Sequence, residues 1–186
     1  MDHSGSQSIE HLIEQIKIAK RLSDAHEQKC YMLCFAGVVI ALDILSQVFV
    51  HQNRGNYTFE KYGETDERFN NFKKEIINSS SFKEVCKIYP GLIFQNGLKG
   101  LGFSSENTEI NETYKLRNSL LHRFSTKDAK NINPNRSRSG RITEDNDVHL
   151  PEALRFIEDK YNGFVASIGK ESLCEIVDEL YFSETS

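Results

Sequence analysis

The chain has 186 residues, 38% hydrophobic and 27% charged, an ordinary composition for a soluble domain and enough length for one substantial core. This excludes a disordered polyelectrolyte, and the net charge of −4 excludes a globally basic nucleic-acid binder, so any nucleic-acid contact must be local. Cys30, Cys34, Cys86 and Cys174 form no Cys-x-x-Cys pair, and the start Met1-Asp2-His3-Ser4 has no basic region followed by an apolar one, which predicts a reducing cytoplasm.

From residue 8 to about 25 the apolar positions Ile9, Leu12, Ile13, Ile16, Ala19 and Leu22 follow the i, i+3, i+4, i+7 pattern of an amphipathic helix. Residues 27–51 are apolar nearly all round, which predicts a central helix with neighbours on most sides. Asp43, Ser46 and Gln47 interrupt this stretch. Its uncharged part ends at Leu42, short of the roughly 20 residues that a membrane span needs, so the reading is a buried core helix and no membrane. Asn53-Arg54-Gly55-Asn56 stops the helix, and a polar loop with Tyr57, Phe59 and Tyr62 follows. Asp66 can cap a short helix carrying Phe69, Phe72 and Ile76. Ser81 and Glu84 make a capping-box start for another, which Pro90 is expected to end.

Gly91 to Phe103 is glycine-rich yet apolar and reads as a packed connection. Thr108 to Phe124 then reads as a helix with Ile110, Tyr114, Leu120, Leu121 and Phe124 available for burial. Between residues 125 and 149 periodicity vanishes, which predicts a long exposed loop. Pro151 suits a first helical turn, and Leu150, Leu154, Ile157, Tyr161, Phe164 and Ile168 recur at alternating spacings of 4 and 3, a heptad-like stripe. Gly169 should break this helix before Leu173, Ile176, Val177 and Leu180. No strand and no internal repeat is legible, so the expectation is one all-α domain over residues 1–186, a compact helical bundle with a long polar loop before its last helices.

The chemistry concentrates in Lys115-Leu116-Arg117-Asn118-Ser119-Leu120-Leu121-His122-Arg123-Phe124. On a helix Asn118 and His122 stand one turn apart, so the amide can orient the imidazole, whereas Arg117 lies about 140° around the axis from His122. A single copy of the helix therefore poorly encloses a phosphate. The plain alternative makes Arg117 an ion-pair partner of Glu109 or Glu112 and His122 a helix residue satisfied by a carbonyl. Asp43, the only charge deep in the apolar helix, normally needs a partner and is a candidate for one beside Arg117. After the motif come Lys127, Lys130, Arg136, Arg138 and Arg141 with one acid among them, Asp128. Together with Arg123 this is a local positive excess suited to a polyanion, or else a solvated loop.

This Arg-Asn-x-x-x-His pattern in a late helix resembles the HEPN superfamily (higher eukaryotes and prokaryotes nucleotide-binding). Its members are compact helical domains, often dimeric ribonucleases that need no metal. A second Arg-x4-His, Arg21 to His26, lacks the polar residue after the arginine. The resemblance implies an endoribonuclease of toxin–antitoxin or anti-phage type, acting on RNA such as tRNA or mRNA as a homodimer, with no metal or other cofactor. An antitoxin or defence-system protein would be its partner.

In that reading His122 moves the 2′-OH proton, Arg117 stabilises the charged phosphate and Asn118 positions both. Asp43 matches the acidic residue that such proteins carry in an early helix. Arg123, Lys127, Lys130, Arg136, Arg138 and Arg141 would hold the RNA. Members silenced by a nucleotidyltransferase carry Tyr two residues after the His, and here that place is Phe124. The alternatives are a non-catalytic helical interaction module and a nucleotide-binding module.

Two other patterns carry nothing. His26, Cys30 and Cys34 span about 12 Å of helix, too far to share one metal ion, and Asn96 to Gly102 lacks the residue order of a phosphate loop.

Overall fold

The computed structural model describes residues 4–26, 31–54, 71, 74, 82–104, 108–123 and 149–181. Seven helices account for nearly all of these: α1 (Ser4–His26), α2 (Tyr31–Asn53), α3 (Phe82–Ile88), α4 (Pro90–Gly100), α5 (Thr108–Arg123), α6 (His149–Ile168) and α7 (Lys170–Tyr181). No strand occurs among the described residues. Of the short helix read from Asp66 to Ile76, Asn71 and Lys74 are helical, and the rest lies outside the described residues, as does the 125–148 stretch.

Helix α2 is the axis of the fold. It packs against α1, α4, α5, α6 and α7, and its Phe35, Val38, Val39, Leu42, Leu45 and Val48 are all essentially inaccessible. From Leu33 to Asn53 it is long and apolar enough to cross a membrane by length and composition. Most of that stretch is buried against the other helices, as the all-round apolar pattern predicts for a core helix. Helix α1 covers one side with Ile9, Ile13 and Ile16.

The glycine-rich stretch after Pro90 is a helix, α4, and this corrects the expectation of a connection. Proline ends α3 and also opens α4, because a first helical turn has no use for its missing N–H. The glycines are needed for proximity. A Cβ on Gly97 would lie 2.5 Å from both the Cα and the carbonyl oxygen of Ser46, so α4 crosses α2 almost backbone to backbone. Leu101 N–H donating to the Gly97 carbonyl at 2.8 Å and Phe103 N–H donating to the Leu98 carbonyl at 3.0 Å close the end of α4.

The heptad-like stripe of α6 is consumed inside the chain. Leu150, Leu154, Ile157, Tyr161 and Phe164 are buried, and Ile168 packs on the same core. Gly169, with φ at +83°, separates α6 from α7 as the sequence predicts. Two polar ties then join distant parts of the chain. Glu10 of α1 accepts from Tyr161 Oη at 2.7 Å and from Lys170 Nζ at 2.8 Å. His51 Nε2 of α2 lies 2.9 Å from Glu179 Oε2 of α7, with its ring edge-on to Phe82 of α3 at 5.3 Å.

Candidate functional site

Helix α5 buries Ile110, Leu116 and Leu120 completely or nearly so, and this fixes its rotation about its own axis. Arg117 is thereby turned toward α2. Its Nε and Nη2 both donate to Asp43 Oδ2, at 3.2 and 3.1 Å, and its Nη1 donates to Asn118 Oδ1 at 3.3 Å. The guanidinium carbon stands 5.5 Å from the centroid of the Phe94 ring, contributed by α4. Gln47, one turn along α2, donates to the other Asp43 oxygen at 3.4 Å. Only 14% of the Arg117 side chain and 18% of the Asp43 side chain remain exposed.

The partner expected for Asp43 is thus in place. Burial nevertheless dominates its chemistry. Desolvation raises the Asp43 carboxyl above the ordinary carboxylate range, and attraction to Arg117 together with hydrogen bonds from Arg117 and Gln47 offsets only part of that. Glu109, an alternative partner for Arg117, instead accepts the backbone N–H of Ser104 at 3.1 Å.

The motif does not close as one cluster. Asn118 gives its amide oxygen to Arg117, and no hydrogen bond joins it to His122 among the described residues, which corrects the expectation that it orients the imidazole. His122 and Arg123 are exposed on the last turn of α5, beside Leu121 at 47% exposure. Arg117, Asn118 and Asp43 are brought together, and His122 stands around the helix from them. Lys127, Lys130, Arg136, Arg138 and Arg141 lie outside the described residues. Of the other residues singled out as metal-like, Cys34 is buried in the core.

Two side chains that sequence reasoning did not single out belong to this neighbourhood. Cys86 of α3 has its thiol pushed up to about 12, first by burial and then by the charge of Asp43. Tyr181 of α7 has its phenol raised, first by burial and then by the same carboxylate, while Arg117 pulls in the opposite direction. Neither residue sits in a recognisable motif, and each arrives through the packing of a separate helix. Clefts of about 310 Å³ beside Glu10, Lys17 and Tyr161 and about 360 Å³ beside Phe49, Leu101 and Phe164 are lined by neither Arg117 nor His122.

No protein-family model, curated protein or solved structure matches this chain.

Proposed function

We propose that this chain is a metal-independent endoribonuclease of the toxin–antitoxin or anti-phage kind, acting on RNA as a two-fold homodimer of HEPN-like helical bundles. The observation that carries this reading is the Arg117–Asp43 pair. A carboxylate in the central helix fixes the fork of the motif arginine, one turn before an exposed helix end carrying His122 and Arg123. In the proposed reaction His122 takes the 2′-OH proton as the 2′-oxygen bonds to phosphorus. The bond to the 5′-oxygen breaks, and His122 of a second copy returns a proton to that oxygen. Arg117 spreads its charge over the non-bridging oxygens. Products are a 2′,3′-cyclic phosphate and a 5′-OH. Because Arg117 and His122 point to different sides of α5, two copies related by a two-fold axis would complete one cleft.

Incubation of the purified protein with total RNA in EDTA, followed by mapping of the new 5′ ends, tests this. Wild type should leave 5′-OH ends, and His122→Ala should lose at least about a hundredfold in rate. A requirement for Mg²⁺, 3′-OH ends, or full activity in His122→Ala would refute the mechanism.

A second reading, a non-catalytic interaction module, has its own support. Three of the Arg117 N–H groups are spent within the chain, on Asp43 and Asn118, as a structural tie between α2 and α5 would spend them. Lasting absence of cleavage, with partner binding unchanged in Arg117→Lys, would favour it. Lysine keeps the charge beside Asp43 and loses the fork.

A further inference from the structure

The cleft of about 360 Å³ between the end of α2, the turn that closes α4 and the second half of α6 takes no part in the site above. Its floor is apolar: Leu101 and Phe164 are buried, and Phe49 is half-buried against the same core. Asp159 and Lys160 line it as well. Successive residues on a helix point about 100° apart, so these two opposite charges flank the cleft without meeting each other. Among the described residues Asp159 has no hydrogen bond or ion pair. Lys160 Nζ stands 5.2 Å from the centroid of the Phe156 ring, a contact that does not exhaust its N–H donors.

Gly163 lines the same wall. Glycine inside a helix is less stable than alanine, and no neighbour lies within 4 Å of a Cβ placed there, so packing does not call for it. The missing side chain leaves room in the cleft beside Asp159, one turn back on α6. A ligand that matches this lining has an apolar body for the floor, a cation for Asp159 and an anion for Lys160, with its two charges close together. A volume of about 360 Å³ is at the small end of ligand sites and too small for a dinucleotide. We propose that the cleft binds a free α-amino acid with a large apolar side chain, of the leucine or phenylalanine type. The side chain rests on Phe49, Leu101 and Phe164, the ammonium faces Asp159 and the carboxylate faces Lys160. This site stands apart from the ribonuclease reading, because neither Arg117 nor His122 lines the cleft.

Isothermal titration of the full chain with L-leucine and with L-phenylalanine is the test. At least one should bind with a Kd on the order of 0.1 to 1 mM. N-acetyl-leucine, leucine amide and glycine lack in turn the cation, the anion and the apolar body, and each should bind about five- to tenfold more weakly. Asp159→Asn and Lys160→Met should weaken binding by a similar factor. Gly163→Leu, whose side chain fills the cleft, should abolish binding while keeping the helical circular dichroism of wild type. No binding of either amino acid at about 10 mM overturns the proposal, and so does wild-type affinity in Gly163→Leu. Equal binding of leucine, N-acetyl-leucine and leucine amide also overturns it, since the charges would then play no part. If Gly163→Leu does not fold, Asp159→Asn and Lys160→Met decide, and unchanged affinity in both rejects the site.

Discussion

Arg117 and Asp43 are each most of the way inside the protein, so removing either leaves a poorly solvated charge behind. Asp43→Ala should cost about 3 kcal/mol in urea unfolding, and the Asp43→Ala/Arg117→Leu double variant clearly less than the sum of the singles, since the double removes both charges. Additive losses would mean that the two side chains do not sense each other. The contact between half-buried His51 and exposed Glu179 behaves differently with pH. Burial lowers the His51 imidazole from its ordinary value, with Arg54 adding to that and Glu179 opposing it, so the folded state prefers the neutral ring. Its contribution to stability is complete above the ordinary histidine range and is lost as pH falls through the depressed folded value. Tm should therefore drop between about pH 7 and 5, and His51→Gln should flatten that drop. A slope unchanged in the variant would assign it to other groups. At this scale the sequence was informative where solvation alone decides: a lone carboxylate in an apolar helix requires a partner. Phe94 stood in no such conflict with its local sequence, and only the packing of α4 brings its ring over Arg117.

The crossing of α2 and α4 depends on what is missing at Gly97. A methyl group there would meet the Ser46 backbone, which cannot move aside without shifting α2. Gly97→Ala should destabilise the protein by about 2 to 4 kcal/mol despite the better helix propensity of alanine. Gly163, within α6 and with open space around the site of a Cβ, provides the contrast: Gly163→Ala should stabilise by about 0.5 to 1 kcal/mol. Thermal melts of the two variants check the pair, and equal effects would mean that the crossing is looser than described. This also explains why α4 was illegible. Glycine in a single sequence reads as a break, and its use as a contact surface depends on a partner helix that lies about 50 residues earlier. The helices with clear periodicity, α1, α5 and α6, were read to within a few residues, because a buried face writes itself into the spacing of apolar side chains.

For the whole molecule, the burial of the α6 stripe inside the chain leaves it no part in self-association. Among the described residues the large apolar side chains left exposed include Leu33 and Ile40 on α2 and Leu121 on α5. If two copies share one site, mixed subunits carrying Arg117→Lys and His122→Ala should regain part of the activity that each variant lacks alone. A sedimenting monomer that cleaves RNA at full rate would end the dimer proposal. The tie from Glu10 to Tyr161 and Lys170 has a consequence for how the chain acquires its structure. The apolar face of α1 leaves the ribosome more than 140 residues ahead of α7, against which it packs. At about 5 to 20 residues per second, Ile9, Ile13 and Ile16 wait for many seconds with α2 as their chief cover, a window in which a chaperone has something to hold.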